Sequence, residues 1–446
     1  MTMQHKYLHF INYLDLYRWD VKAYAFQQKA FENAVRLRDI LKPYNVPLSR
    51  EEMLDNRWSI ISKINFSGKL FLRDMEETKA FKGNVHKVDG ETLIYSKINV
   101  KHGCVYYHPK SAIPFGVSSE YPAYKIDSKR IYGDFLVLLL QSRYFKDVLS
   151  AGTSGISKAR VKPSVFLDIQ IPLPSLEEQN KIVAAYNATI AQADNYVQQA
   201  DDINDQIETY LKETLGVEQN NTNSSKNTIG KFIWLVHLKN ITRWDVYNSQ
   251  DNNYNGTYDY LLLRDLLISS PKYGAGYKAE KKRRDVRYIR ITDINEDGFL
   301  NDDFASVAKY DNQYLLKQND FLIARTGNTV GKTFLYDESI GKAIYAGYLI
   351  KFELDTNKVN PQYLLAYTKS SVYKTWIKNN MRISAQPNIN SRQYEESPII
   401  VPPLAIQNEI VDYILALRAQ QKNLRQQASG LRLQAQQQLE QTIFTL

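Results

Sequence analysis

The amino-acid sequence predicts an α/β (α+β) protein with two similar globular domains and two long helices. A proline-led segment that opens a long helical pattern occurs twice, at 171–215 and at 400–444. The matching positions lie a constant 228 residues apart: Pro174, Leu176, Gln179, Asn180, Ile182 and Val183 match Pro402, Leu404, Gln407, Asn408, Ile410 and Val411. This collinearity indicates a pseudo-twofold internal repeat.

Further matches and the chain length indicate where the domains end. Arg-Trp-Asp-Val occurs at 18–21 and at 243–246, and the helical pattern of 134–150 returns at 361–377. The 446 residues are too many for one ordinary core. We therefore predict five segments: a first domain at 1–170, a first long helix at 171–216, a polar linker at 217–230, a second domain at 231–399 and a second long helix at 400–446.

Each domain is predicted to mix short strands with a helix. Alternating apolar residues predict strands at 58–66 and 92–98 in the first domain, and at 288–294 and 320–324 in the second. The segment 134–150 begins with an acidic residue, which favours a helix there.

Both long helices carry apolar or small residues at alternating steps of three and four, the spacing of a coiled-coil seam. In the first helix these are Val183, Tyr186, Ile190, Ala193, Val197, Ala200, Ile207 and Leu211, with Asn204 on the same line. In the second they are Ile410, Ile414, Leu417, Leu424, Ala428, Leu431 and Ala435. Both helices are roughly 60 Å long at 1.5 Å per residue. Their equal lengths predict that they pair with each other and hold the two domains apart.

The composition favours a polyanionic partner. The chain has 57 Lys and Arg against 48 Asp and Glu, a formal charge of +9, and 32 tyrosines. This balance is typical of proteins that bind nucleic acid. The single cysteine excludes a disulfide framework and fits a reducing cytoplasm. The first residues lack the apolar core of a secretion signal, and the longest apolar run, 135–140, is too short to span a membrane. We expect a cytoplasmic protein.

The densest basic segment runs from Lys278 to Arg290, between glycines and a predicted strand. Its cations suit contacts with DNA phosphates and base edges. A tight loop after the strand at 320–324, and its first-domain counterpart at 91–103, add further candidates. The predicted DNA-binding residues are Tyr277, Lys278, Lys281, Lys282, Arg283, Arg284, Arg287, Arg290, Arg325 and Lys332, with Lys97, Lys101, Lys158 and Arg160 in the first domain.

Catalytic motifs are not supported by the spacing of the residues. Gly327-Asn-Thr-Val-Gly-Lys-Thr resembles a nucleotide-binding loop but has three residues between its glycines, where the motif needs four. The six histidines do not indicate a helical zinc site. We therefore predict no catalytic residue, no metal site and no cofactor in this chain.

The arrangement resembles the specificity subunit of type I restriction–modification enzymes. The resemblance lies in the strand-and-loop segment 320–332, in the strands near 92–98 and 288–294, and above all in the twice-used Pro-x-Leu-x-x-Gln-Asn-x-Ile-Val that leads into a long helix. It covers essentially the whole chain. The resemblance implies two target-recognition domains that each read one part of a split DNA site, and two helices that form an antiparallel coiled coil.

The same resemblance implies the partners. These are double-stranded DNA, two modification subunits that use S-adenosylmethionine to methylate adenine, and restriction subunits that use ATP and Mg. The residues implied for docking of modification subunits, or for the coiled coil, are Gln179, Ile182, Val183, Ile190, Val197, Gln407, Ile410, Ile414, Leu417 and Leu424. Two alternatives stay open. One is a specificity subunit of a methylation-only defence system, and the other is a coiled-coil adaptor whose basic loops bind protein or RNA.

Overall fold

The structure is a computed structural model that describes residue 31 and residues 33–151, 160–217, 257–381 and 387–445. The two Arg-Trp-Asp-Val motifs, Lys158 and residues 218–230 of the predicted linker lie outside these ranges. The chain divides into two compact units. Unit 1 comprises Met1–Val197 and Gln426–Leu446, and unit 2 comprises Gln198–Arg425. Each unit thus contains one globular domain and a part of both long helices.

Unit 1 is built on a four-stranded antiparallel sheet. The strands of the whole unit are β1 (Ala34–Arg36), β2 (Leu41–Pro43), β3 (Ile61–Ile64), β4 (Leu70–Leu72), β5 (His86–Val88), β6 (Thr92–Tyr95), β7 (Val105–His108), β8 (Phe115–Val117), β9 (Ala123–Ile126) and β10 (Gln170–Pro172). Its short helices are α1 (Arg50–Asp55), α2 (Met75–Ala80), α3 (Gly133–Gln141), α4 (Arg143–Ala151) and α5 (Pro163–Leu167), and the long helix α6 (Leu176–Leu215) follows. The order across the sheet is β2-β9-β6-β7, with antiparallel pairs β1–β10, β3–β4 and β5–β8 beside it.

Unit 2 has the same kind of sheet. Its strands are β11 (Tyr260–Leu262), β12 (Lys272–Tyr273), β13 (Arg287–Ile289), β14 (Phe321–Ala324), β15 (Thr333–Leu335), β16 (Ala343–Tyr345), β17 (Leu349–Phe352) and β18 (Pro398–Ile400). Its short helices are α7 (Pro361–Tyr367), α8 (Ser371–Asn380) and α9 (Ser391–Glu395), and the second long helix is α10 (Leu404–Thr445). The sheet order is β12-β17-β14-β15.

The two units repeat one plan. Strands β2, β6, β7 and β9 correspond to β12, β14, β15 and β17, and their order across the sheet is the same. The ladder β1–β10 corresponds to β11–β18, and both are antiparallel. The remaining pairings also recur. The parallel pair of β13 and β16 matches the parallel bridge Ile60–Gly116, and the antiparallel pair of β5 and β8 matches the antiparallel bridge Leu315–Ile344. The predicted fold class and internal repeat are therefore confirmed.

Each unit has its own core. In unit 1 the sheet residues Tyr95 and Val105 pack with Phe135 and Phe145 of the helices and with Phe166 of α5. The rings of Tyr95 and Phe166 stack with centroids 4.1 Å apart. In unit 2 the core is rich in fully buried tyrosines, among them Tyr345, Tyr363, Tyr367 and Tyr394. In each unit the helices therefore pack on the sheet of the same unit, and the loops follow from the strands of that sheet.

The predicted single helix at 134–150 is wrong, because the chain breaks at Ser142. This buried serine has an extended backbone, with ψ near 155°, and separates α3 from α4. Its hydroxyl accepts a hydrogen bond from the Phe145 amide at 3.5 Å, and Ser370 caps α8 in the same way through the Tyr373 amide at 3.4 Å. A serine in this position starts a new helix. The apolar pattern did not reveal the break, because it continues through it.

The predicted strands also end earlier than the apolar pattern does. The strand expected at 92–98 stops at Tyr95, where the Ser96 hydroxyl accepts a hydrogen bond from the Asn99 amide at 3.3 Å and turns the chain. The strand expected at 288–294 is Arg287–Ile289, because the backbone folds into a turn around Asp293. In both places a side chain that bonds to nearby backbone competes with the strand ladder.

The long helix α6 begins with a capping box that its sequence carries. The Ser175 amide donates to a Glu178 carboxylate oxygen at 2.9 Å, and the Glu178 amide donates to the Ser175 hydroxyl at 3.3 Å. The helix ends at Gly216, whose φ of +65° is the left-handed conformation typical of a glycine cap. Helix α10 runs through Gly430 without a break.

The two long helices pair antiparallel within each unit. In unit 1 Arg432 of α10 forms a salt bridge of 2.7 Å with Asp194 of α6. In unit 2 Arg425 pairs with Asp201 at 3.3 Å, and the rings of Tyr413 and Tyr210 are 4.1 Å apart. Since residue numbers fall along α10 as they rise along α6, the predicted antiparallel coiled coil is confirmed.

The polar residue that is buried between the two long helices is not the one that the sequence predicts. Ile203 is buried in the seam and Asn204 is exposed at its edge. The buried polar residue is Gln421, whose Nε2 donates to the Ala200 carbonyl at 2.7 Å. The Asn204 side-chain oxygen accepts from Arg418 at 2.8 Å. A buried polar group with fixed partners favours one register of two helices, and in this seam that group is Gln421.

Candidate nucleic-acid interface

The basic segment forms the loop between β12 and β13 in unit 2. Gly274, at the start of this loop, packs tightly, because an added Cβ would lie 2.3 Å from the Ala346 carbonyl oxygen. Ala275 forms a parallel bridge with Ala346, and Glu280 forms an antiparallel bridge with Ser306. The loop is therefore anchored at two places and presents its cations from a defined backbone.

The loop exposes a compact set of cations. Lys278, Lys281, Lys282 and Arg283 are all exposed, and none has a salt-bridge partner among the residues that the structure describes. The guanidinium of Arg283 lies 4.7 Å from the ring centroid of Phe304, which fixes its direction without neutralising its charge. These four side chains are available to phosphate oxygens.

Arg287 stabilises the loop instead. Its Nη2 donates to the carbonyl oxygens of Asn301 and Asp303 at 2.8 and 3.0 Å, and its guanidinium lies 5.5 Å from the same Phe304 ring. Burial lowers the pKa of Arg287. Its Nη2 therefore serves the backbone, its Nε is buried without a partner among the described residues, and its DNA contact stays a prediction. Phe304 was missed, since no periodicity links it to arginines so distant in sequence.

Arg284, Arg290 and Tyr277 also bond within the unit. Arg284 donates to Glu280 through two nitrogens, at 2.7 and 3.1 Å. Arg290 donates to the buried carboxylate of Asp293, with the shortest distance 2.6 Å, and these hydrogen bonds raise the pKa of Arg290. The Tyr277 hydroxyl accepts from the Asp311 amide at 3.1 Å. These three residues therefore have structural partners, and their DNA contacts stay a prediction.

Arg325 is the most distinctive cation of the second candidate loop. It follows β14, and its guanidinium lies 5.0 Å from the ring centroid of Tyr273. The Tyr273 hydroxyl is fixed in turn by a hydrogen bond to the Ser391 hydroxyl at 3.1 Å. The Nε of Arg325 is buried without a partner among the described residues. An oriented guanidinium without a carboxylate partner suits bidentate recognition of a guanine edge.

Asn388, which sequence reasoning missed, lies beside this loop. The backbone of Asn388 forms an antiparallel β-bridge with Thr326, and the side-chain oxygen Oδ1 of Asn388 is buried without a partner among the described residues. Lys332, in contrast, pairs with Glu296 at 2.8 Å, and its DNA contact stays a prediction. The segment that resembled a nucleotide-binding loop runs from β14 through a short 3₁₀ turn, Gly327–Thr329, into β15. A phosphate-binding loop would lead into a helix.

The first-unit candidates are more dispersed. Lys97 and Lys101 are half-buried and have no ion pair within the described ranges. Arg160 forms a salt bridge of 3.2 Å with Glu120, which reduces its availability. Lys158 lies outside the described residues. No basic loop comparable to Lys278–Arg283 was predicted here.

Several residues assigned to docking of modification subunits are buried inside the chain. Gln179 and Gln407 are fully buried and bond only to backbone of their own unit among the described residues, so neither side chain is accessible to a partner in this structure. Ile182 and Val183 pack against the core of unit 1. Ile190 and Val197 are half-buried on α6. Burial of the remaining four places them in packing within unit 2: Ile410, Ile414, Leu417 and Leu424.

Two general features limit the kinds of site in the described ranges. No group of three or more His, Cys, Asp or Glu side chains there is arranged to hold a metal ion. None of the described helices is long and apolar enough to cross a bilayer.

Comparisons with known proteins agree with this architecture. Residues 263–429 match the family described as "Type I restriction modification DNA specificity domain". The StySPI type I restriction enzyme specificity subunit of Salmonella potsdam is 20% identical over 309 residues, which are 68% of this chain and 62% of that protein. The EcoBI specificity subunit of Escherichia coli is 22% identical over 292 residues, or 64% of this chain and 59% of that protein. The chain thus matches about three fifths of the length of these curated relatives.

A solved structure shares the fold. A chain of the structure described as "Structural basis underlying complex assembly and conformational transition of the type I R-M system" superposes with a TM-score of 0.58. The match covers 93% of this chain and 99% of that chain at 16% identity. The duplicated fold is shared with that chain, and residues 263–429 are similar to the specificity-domain family. The resemblance to type I restriction–modification specificity subunits is confirmed.

Proposed function

We propose that this chain is the subunit that recognises DNA in a type I restriction–modification complex. The observation that carries the proposal is the specificity-domain match over 263–429, which includes the loop with four exposed cations. Each of the two units would read one part of a split duplex site. Since the units differ in sequence, the two parts would differ in their bases.

The proposal extends to the partners. Modification subunits would methylate adenine with S-adenosylmethionine, and restriction subunits would use ATP and Mg, whereas this chain would have no cofactor and no catalytic role. Two observations support it: both relatives are named specificity subunits, and the structural neighbour comes from work on assembly of a type I system. The half-buried residues of α6 and the exposed faces of both long helices would remain for docking.

Coexpression with the cognate modification subunits tests the proposal. Sequencing the methylated adenines of the host DNA should reveal one motif with two specific parts and a gap. A chain that neither copurifies with modification subunits nor directs methylation to a motif would contradict the proposal. Cleavage of unmethylated DNA after addition of restriction subunits would distinguish the restriction system from a methylation-only system.

The basic loop gives a second test. Replacing Lys278, Lys281 and Lys282 with Ala should weaken binding of any duplex and reduce the slope of log affinity against log salt by about three, near 0.9 per lost phosphate contact. A matched triple at the exposed Lys374, Lys378 and Lys422 is the control. An unchanged slope would remove this loop from the interface.

A further inference from the structure

The two units share a hairpin whose tip has the same geometry but opposite chemistry. In unit 1 the tip spans Asn65 to Lys69, and the Asn65 amide donates to the Lys69 carbonyl at 3.0 Å. In unit 2 the Asn295 amide donates to the Phe299 carbonyl at 2.9 Å. The asparagine side chain accepts from the amide four residues later in both, at 2.8 and 2.9 Å. Each tip has a glycine with positive φ, +80° at Gly68 and +84° at Gly298.

The tip of unit 2 is acidic, and its charges are satisfied within the unit. Glu296 pairs with Lys332 at 2.8 Å, and Asp297 pairs with Arg418 of the long helix at 3.2 Å. This hairpin therefore has an evident structural role. Its exposed aromatic residue, Phe299, belongs to the same turn as these two carboxylates, whose negative charge opposes contact with a polyanion.

The tip of unit 1 is basic and aromatic. Phe66 is 64% exposed at the turn. On the strands below it, Lys63 faces Phe71 across the ladder, and the amines of Lys63 and Lys69 lie 5.3 and 5.8 Å from the Phe71 ring. Segment 61–73 has no acidic residue, and neither lysine has a salt bridge among the described residues. The partly exposed Phe71 ring therefore lies near two ammonium groups that have no salt-bridge partner among the described residues.

The surface around the tip adds more positive charge. The Phe66 ring lies 5.2 Å from the ring of His102, which adjoins Lys101 in a short 3₁₀ turn. Gly103 approaches the backbone of Phe66 and the side chain of Lys146 so closely that a Cβ there would lie 2.9 Å from each. The Gln141 side chain also packs closely against the tip, because a Cβ at Gly68 would collide with it. The aromatic ring is therefore presented by a supported turn within a basic surface.

We propose that this hairpin is the DNA-contacting element of unit 1, with Lys63 and Lys69 on phosphates and the Phe66 ring against a base step. The inference rests on the proposed DNA recognition. Unpaired lysines supply attraction to phosphates that is independent of sequence. An exposed phenyl ring can insert at a base step, where partial unstacking favours deformable sequences. The hairpin thereby supplies the first-unit basic element that the sequence did not indicate.

The test uses the complex with modification subunits and a duplex that carries its methylated motif, with a scrambled duplex as reference. Lys63→Ala/Lys69→Ala should reduce the salt slope by about two on both duplexes. Phe66→Ala should weaken specific binding by about ten-fold at an unchanged slope, and Phe66→Trp should restore it. Phe299→Ala, at the matching hairpin, is the control and should leave binding unchanged.

The outcomes separate this inference from the function on which it rests. If the unaltered complex binds its motif and the Lys63, Lys69 and Phe66 variants bind equally well, the inference is wrong and the function stands. If these variants instead lose copurification with modification subunits, the hairpin is a protein-docking surface, which also overturns the inference. If the unaltered complex has no preferred duplex, both proposals fail. All replaced side chains are exposed, so thermal unfolding should be unchanged.

Discussion

Gln179 and Gln407 make the same three hydrogen bonds at the start of the two long helices. The Gln179 Oε1 accepts from the Tyr132 amide at 2.8 Å, and its Nε2 donates to the carbonyls of Arg130 and Pro174, both at 2.9 Å. The Gln407 Oε1 accepts from the Asn360 amide at 2.7 Å, and its Nε2 donates to Lys358 and Pro402 at 3.1 and 2.8 Å. In each unit one amide side chain thus joins the long helix to the segment before a core helix.

Replacing either glutamine with Ala should open its own unit locally. The change leaves one buried amide and two carbonyls without partners, at a cost of about 2–3 kcal/mol. Hydrogen exchange at the Tyr132 amide should accelerate in Gln179→Ala, and at the Asn360 amide in Gln407→Ala. The exposed Gln437→Ala is the control. Unaltered exchange at these amides would show that the hydrogen bonds do not hold the helices.

The glutamines also show what sequence reasoning could and could not provide. The constant spacing located both of them, both long helices and the repeated plan. The spacing did not reveal which groups their side chains contact. The resemblance to specificity subunits therefore implied for them a role in docking or in the coiled coil. The same limit applies to Asn204 and to the hairpin at Phe66. Helical periodicity did not separate Asn204 from its buried neighbour Ile203, and cross-strand neighbours such as Lys63 and Phe71 become evident only when strands pair.

Arg290 and Arg283 belong to one basic segment but should behave differently when replaced with Ala. Arg290→Ala leaves the buried Asp293 carboxylate without its cationic partner, which should cost about 3–5 kcal/mol. Arg283→Ala loses only a contact with Phe304, which should cost about 0.5–1 kcal/mol. Thermal unfolding of the two variants measures the difference. Equal losses of stability would contradict the structural role assigned to Arg290.

Lys369 should make the stability of unit 2 depend on pH. Its Nζ donates to the Thr333 carbonyl at 3.0 Å, and burial lowers its pKa to about 7 despite the nearby Asp297 and Glu296. An unfolded lysine has a pKa near 10.4 (an approximate reference value). Between these two values the unfolded state binds more protons, so stability should rise with pH across this window and be lowest below about 7.

Lys369→Gln tests this pH dependence, because unit 1 has a glutamine at the position that corresponds to Lys369. Gln141 holds the matching position, and its Nε2 lies 3.5 Å from the Val105 carbonyl oxygen. The variant should be more stable by about 1 kcal/mol near pH 6, because a buried charge is removed. Its unfolding temperature should also rise less between pH 7 and 9 than that of the unaltered chain. Parallel curves for the two proteins would contradict the lowered pKa.

Gly430→Ala should stabilise helix α10. Glycine inside a helix costs about 0.5–1 kcal/mol relative to alanine. An added Cβ at Gly430 would meet no atom within 4 Å, so the change introduces no clash in this chain. Calorimetry of the isolated chain should show the gain. If the same variant stabilised the chain but weakened assembly with modification subunits, this position would lie in a partner interface.

Arg325 is the side chain for which we expect the largest effect on sequence specificity in unit 2. Its guanidinium is oriented by Tyr273 and has no carboxylate partner among the described residues. Arg325→Ala should therefore weaken binding of the specific duplex by about ten- to one-hundred-fold and relax the methylated motif at one position. Arg325→Lys should not restore specificity, because an ammonium lacks the planar pair of donors. The exposed Arg264→Ala, which removes the same charge, is the control. A motif that stays unchanged in Arg325→Ala would assign base reading to other residues, with Asn388 the next to replace.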